Sequence, residues 1–252
     1  MPKSNPFKWR HYEPEIILLC VRWYLTYRLS YRQVAEMVNE RGLDVHHTTL
    51  FRWVQQYGPE LDKRCRPHLC PTNDSWRVDE TYIEVKGKQK YLYRAVDSTG
   101  KTLDFLLSAK RDAQAAKRFF RRALKAVHNQ EPRVINVDKN AAYPKAIDEL
   151  REKKELSESV ELRQNKYLNN RVEQDHRFIK RLVKPGMGFG SFNTAQRTIK
   201  GYEIMNMLRK GQVKKVEPVA RAGNPNRERT GVEKGAVKER VKFIAEIFGV
   251  AA

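Results

Sequence analysis

Apolar residues first recur along the chain at helical spacing. Between Glu13 and Tyr27, Ile16, Leu19, Cys20 and Trp23 stand three and four apart, which predicts a helix with one apolar face. Ser30 with Gln33 three positions on is a capping-box pattern, and Val34, Met37 and Val38 mark the buried stripe of a second helix that Gly42 ends. After the turn Gly42-Leu43-Asp44-Val45, a third periodic segment runs from His47 to Tyr57 and buries Leu50, Trp53 or Val54, and Tyr57. Gly58-Pro59 is expected to close this unit, which spans residues 1–60. Residues 61–75, with Pro67, Pro71, Asn73 and Asp74, read as a linker.

From Trp76 the period becomes strand-like. Trp76 to Val85, Tyr91 to Asp97 and Thr102 to Leu107, separated by turns at Gly87 and Ser98-Thr99-Gly100, predict three consecutive antiparallel strands. Asp112 to Val127 then carries Ala115, Ala116, Phe119, Phe120, Ala123 and Leu124 as the inner face of a helix. Short strands at Val134–Val137 and Val160–Arg163 alternate with helices at Ala141–Lys154 and Asn170–Val183, so the class is α/β with a mixed sheet. A Gly-rich stretch, Pro185 to Gly190, leads to a helix from Thr194 to Lys210. Residues 76–212 are therefore expected to form the α/β domain, and 213–252 a basic tail with a short helix near Val241–Val250.

Charge changes this picture. The chain of 252 residues has 50 Lys+Arg against 30 Asp+Glu, a formal net charge of +20, with 40% apolar residues, enough for a real core. No apolar run approaches the roughly 18 residues that cross a bilayer, so a polyanion partner is expected in place of a membrane. The basic residues are grouped, at Lys63–Arg66, Lys110–Lys125, Arg177–Lys184 and Arg197–Lys215, as in nucleic-acid binders. In this light helices two and three read as a helix-turn-helix whose second helix fits the major groove, with Thr48, Arg52 and Gln55 directed at base edges or phosphates. Without the charge, three helices of an ordinary bundle would be the reading. The start MPKSNPFKWRHY is basic and Pro-broken and has no signal-peptide core, and three cysteines give no disulfide framework. A reducing cytoplasm is the expected location.

Three acids sit where function collects in α/β sheets, in or just after strands, or on a strongly basic helix. Asp79 lies within the first strand, on the face opposite Trp76 and Val78; Asp138 ends the strand VINVD; Glu173 stands among Arg171, Arg177, Lys180 and Arg181. Singly, an edge-strand acid, a helix cap and an i,i+4 partner of Arg177 would account for them. Jointly they match a site in which hard oxygens hold two Mg²⁺ about 3.5–4 Å apart for phosphoryl transfer. Lys180, seven residues after Glu173, lies two helical turns or roughly 10 Å along the same face, within reach of the same DNA strand.

The triad Asp79, Asp138, Glu173, with 34 residues between the second and third acids and a Lys seven after the Glu, resembles the DDE transposases and retroviral-type integrases. The strings RCRPHL, SWRVDETYIEVKGKQKYLYRAVDSTG and GYEIMNMLRKGQ resemble more narrowly the bacterial insertion sequences of family six, which form cointegrates. The likeness runs from about Tyr12 to Gln212 and leaves the tail unmatched. It implies a ribonuclease-H-like catalytic domain that uses Mg²⁺ or Mn²⁺ at the three acids. It also implies double-stranded DNA as partner, with Arg177, Lys180 and Arg181 as contacts beside the helix-turn-helix residues. The activity implied is cleavage at element ends, with the 3′-hydroxyl joined to target DNA and no covalent protein–DNA intermediate. Holding two ends implies a homodimer.

Other chemistry is set aside. Cys65, His68 and Cys70 supply three soft ligands where structural zinc needs four. The eleven tyrosines lack an Arg-His-Arg constellation, and the stretch Gly186 to Gly190 is followed by no Lys-Ser/Thr, so a tyrosine recombinase and a nucleotide cofactor are not expected. That Gly-rich stretch is read as a flexible loop near DNA, and His176 as a helix-face residue near phosphate. A helix-turn-helix regulator that does not cut DNA, and a ribonuclease-H-like nuclease without strand transfer, are the alternative readings.

Overall fold

The computed structural model describes residues 6–8, 10–165, 170–214, 216 and 231–250. Packing divides the chain into two units, Cys70–Phe192 and a helical unit built from Met1–Leu69 with Asn193–Ala252.

The first unit is a five-stranded mixed sheet in the order β3-β2-β1-β4-β5. Strands β1 (Ser75–Val85), β2 (Lys88–Asp97) and β3 (Thr102–Ser108) form an antiparallel meander. The first hairpin closes on Lys86 and Gly87, both at positive φ (52° and 67°), as a two-residue turn that follows strand twist requires. Val85 therefore pairs with Lys88, and β2 begins three residues before the apolar pattern shows it. The second turn is held by Asp97, whose Oδ1 accepts from the amides of Thr99 and Lys101, both at 2.9 Å. Strand β4 (Val134–Val137) lies parallel to β1, and β5 (Glu161–Gln164) parallel to β4.

One face of the sheet is covered by helices α4 (Ala113–Leu124) and α5 (Ala142–Glu152). The core there joins Trp76, Val78, Tyr93, Ile135 and Val137 from the strands to Phe119, Phe120, Tyr143 and Ile147 from the helices. Asp112 caps α4, its Oδ1 accepting from the Ala115 amide at 2.8 Å. Helix α6 (Asn170–Val183) packs on β1 and β2 and buries Val172, His176 and Ile179. This is the mixed α/β architecture that the alternation of elements predicts. The Gly-rich stretch after α6 differs from its expectation as a flexible loop. Phe189 exchanges backbone hydrogen bonds with the end of β1, donating to the Glu84 carbonyl (3.0 Å) and accepting from the Lys86 amide (2.8 Å). Gly188 lies so close that a Cβ would stand 2.6 Å from the Glu84 carbonyl oxygen.

The helical unit contains α1 (Pro14–Thr26), α2 (Tyr31–Asn39), α3 (His47–Cys65), α7 (Phe192–Arg209) and α8 (Gly231–Phe248). The capping box at Ser30 and Gln33 is present. Helix α3 does not stop at Gly58-Pro59, and the first part of the expected linker is helical to Cys65. A Pro in a helix interior costs about 3 kcal/mol. Burial of Leu61 contributes roughly 1.5–3 kcal/mol against that. Buried Cys65 and the pairs Arg64–Glu60 (2.7 Å) and Arg66–Asp62 (3.0 Å) tip the balance. Gly58 allows a near backbone-to-backbone crossing: a Cβ there would lie 3.2 Å from the carbonyl oxygen of Arg197 on α7.

Helix α7, which the sequence places at the close of the α/β domain, packs within the helical unit, with Ala195, Ile199, Tyr202, Met205 and Leu208 buried. Of the tail, residues 215, 217–230 and 251–252 lie outside the described residues. Its helix is longer than the one the sequence suggests and packs on α3 and α1. Phe248 lies under the Arg64 guanidinium (4.8 Å) and beside Phe7 and Tyr57.

Candidate active site

Parallel pairing of β1 with β4 sets the site. Trp76 is opposite Ile135 and Arg77 opposite Asn136, and the same offset carried two residues on brings Asp138 alongside Asp79. Carboxylate oxygens of Asp79, Glu80 and Asp138 lie within 4.8 Å of one another. Among the described residues this is the one such acidic cluster.

Its members are held differently. Glu80 points to the α4/α5 face, is buried, and accepts from Arg111 and from the Tyr143 hydroxyl, with the Asn140 amide at 3.5 Å. Its charge is thus already matched by protein. Arg111 also reaches Asp138 Oδ2 at 3.4 Å, and Asp138 Oδ1 accepts from the Asn140 backbone at 3.0 Å. Asp79, on the opposite pleat, has no such cationic partner among the described residues. Burial pushes its carboxyl up to about 7, and the charges of Glu80, Asp138 and Glu173 add to the rise. Several carboxylates crowded until one resists ionisation form a place where a divalent cation is favoured.

Helix α6 supplies the other side. Arg94 stands opposite Asp79 in the β1–β2 register, is fully buried, and pairs with Asp175 at 2.6 Å. The next residue, His176, is buried with Nδ1 3.7 Å from Asp79 Oδ2. Burial, then the Arg94 charge, lowers its pKa to about 3, so the ring is neutral. His176 is therefore not the exposed helix-face residue its position between Asp175 and Arg177 suggests. Glu173 is in the first turn of α6 and exposed; it raises the Asp79 pKa but is not within the 4.8 Å cluster. Arg177, Lys180 and Arg181 are exposed on the same helix, and among the described residues none has a carboxylate within 4.0 Å.

In the helical unit the three expected contact residues part company. Thr48 is exposed at the start of α3, where its hydroxyl meets Nδ1 of the capping His46 at 2.8 Å. Arg52 is exposed. Gln55 is 9% exposed, and its Nε2 donates to the Thr198 hydroxyl of α7 at 2.8 Å. The side chain that projects from α3 in its place is Gln56. Sequence reasoning also missed Glu80, Arg111, Tyr143 and the Arg94–Asp175 pair. Only Glu80 had a visible signal, as a second acid beside Asp79 in an otherwise apolar strand.

A family model described as a DDE domain matches residues 73–212. The chain is 39% identical over 206 residues to the transposase for insertion sequence-like element IS431mec of Staphylococcus aureus, covering 82% of this chain and 89% of that protein. It is 38% identical over the same shares to the transposase for insertion sequence element IS257 in transposon Tn4003, also from Staphylococcus aureus. Among solved structures, the catalytic core domain of HTLV-2 integrase in complex with magnesium aligns with 16% identity and a TM-score of 0.39, over 52% of this chain and 84% of that one.

Proposed function

The chain belongs to the DDE transposases of bacterial insertion sequences, and from that premise we propose that it binds the inverted repeats ending its element, cuts DNA there and joins the freed 3′-hydroxyl to target DNA. The observation that carries this reading is the pair Asp79 and Asp138, side by side on β1 and after β4, with the Asp79 carboxyl pushed up to about 7. The donor set is all hard oxygen, as Mg²⁺ or Mn²⁺ prefers, and Asp79, Asp138 and Glu173 would hold the metal. When bound, the metal neutralises charge at the scissile phosphate and makes water a better nucleophile at neutral pH.

The chain's own residues do the rest. Arg111 and Tyr143 fix Glu80, and Arg111 with the Asn140 amide orients Asp138. Arg94 anchors α6 through Asp175 and so sets where Glu173 stands. Arg177, Lys180 and Arg181 hold phosphates of the strand at the site, where positioning and charge neutralisation supply most of the rate. Thr48 and Arg52 read the element ends from α3. Two ends must be held at once, so the working form is a homodimer.

The test is a strand-transfer assay with purified protein, Mg²⁺, a labelled duplex ending in the element's own repeat and a plasmid target. Joined product is expected, and its loss in Asp138→Asn ties the chemistry to this site. Binding without cutting or joining would make the protein a regulator, and cutting without joining a nuclease.

A further inference from the structure

Resting on that reading, we propose that DNA is held by a second element beside α3: the groove between α3 and α7 is a duplex-binding site in which α7 supplies the phosphate contacts. The groove encloses about 530 Å³. Helix α3 gives it Gln55 and Gln56, and α7 gives it Asn193, Gln196, Arg197 and Lys200, with no carboxylate in its lining.

Backbone geometry builds this groove. The helices cross closely at Gly58, where a Cβ would meet the Arg197 carbonyl oxygen at 3.2 Å and the Gly201 Cα at 3.8 Å. The Gln55–Thr198 hydrogen bond, 2.8 Å and buried, locks the crossing beneath the groove. Side chains one position round on each helix, Gln56 and Arg197, are thereby turned outward and exposed.

The cations of this surface are unanswered, whereas near the end of α3 Arg64 pairs with Glu60 and, just past it, Arg66 pairs with Asp62. Among the described residues, Arg52 on α3 and Arg197 and Lys200 on α7 have no carboxylate within 4.0 Å. Gln55 is engaged by Thr198 and Gln56 by Arg10; the α7 amides of Asn193 and Gln196, each both donor and acceptor, stand beside the unmatched cations and suit phosphates and base edges together. A purely acidic partner would use the cations and leave the amides without a role.

The experiment is fluorescence anisotropy of the full chain on two duplexes of equal length, one carrying the terminal repeat and one scrambled, across a salt series. Arg197→Gln with Lys200→Gln should weaken binding to both about tenfold per contact near 0.1 M salt, and flatten the log–log salt slope by about 1.8. Arg197→Gln alone, a change at an exposed position that preserves the helix, should flatten it by about 0.9. Gln196→Ala should instead reduce the preference for the repeat over the scrambled duplex, by about fivefold or more. An unchanged salt slope in variants that still bind and join DNA would overturn the α7 contacts and leave the transposase reading standing. A parent protein that binds neither duplex would overturn both. Polyglutamate competing as well as duplex of equal charge would assign the groove to an acidic protein and overturn the proposal.

Discussion

The acidic centre and the α3–α7 groove use cations in opposite ways. Around the centre Arg94 faces Asp175 at 2.6 Å, and Arg111 faces Glu80 and Asp138. In the groove, Arg197 and Lys200 face none among the described residues. A cation with a partner is a positioning device, because its charge is already answered and its geometry fixed. One without a partner is available to a polyanion. The formal charge of +20 counts both kinds alike, and only their placement tells them apart.

The sharpest way to test this contrast is Glu173→Gln, which removes the α6 acid proposed as a third metal holder and touches no groove residue. Strand joining should fall about 10³-fold or more, the several kcal/mol that a lost metal ligand represents. DNA affinity by anisotropy should be unchanged or tighter. Joining within tenfold of the parent would take Glu173 out of the site. Next comes Asp175→Asn, which removes the carboxylate facing a fully buried Arg94. Loss of about 3–5 kcal/mol in a urea titration is expected for one half of a buried pair. A loss below 1 kcal/mol would mean that α6 is anchored by its apolar stripe alone.

The smallest effect is a dependence on pH. The Asp79 carboxyl titrates near 7 in the fold against an ordinary value of 3.8, so below pH 7 it holds a proton that a divalent cation must displace. Mn²⁺ affinity should therefore be flat above pH 7 and fall about tenfold per unit below it. A fall beginning only near pH 4 would show that Asp79 ionises freely. For the metal-free fold the sign is reversed. Ionised Asp79 is disfavoured by burial, so its contribution to stability is present at low pH and is lost as pH rises through about 7.

The sheet was legible because each of its signals is local. Alternation in WRVDETYIEV, the Gly87 turn and the apolar string VINV locate β1 and β4, and their parallel pairing places Asp79 and Asp138 together. The neighbours of those acids were not legible, since Arg111, Tyr143 and Arg94 come from other elements and carry no spacing that marks them. Gln55 shows the same limit on the helical side. Its place on α3 fits an exposed face until α7, more than a hundred residues later, covers it. Pro59 reads as a stop, yet the burial of Leu61 and Cys65 outweighs it. The family match ends at residue 212 and so includes α7, although packing assigns α7 to the other unit.

The helical unit is assembled from both sides of the sheet unit in the chain, Met1–Leu69 before it and Asn193–Ala252 after it. During synthesis, α1 to α3 leave the ribosome first and wait while about 120 residues of sheet unit are translated. Until α7 emerges, Gln55 lacks the Thr198 hydroxyl and Gly58 lacks its crossing partner. The acidic centre is therefore translated in full before the helical unit is complete, and a premature stop after the sheet unit would leave that unit without α7 and α8.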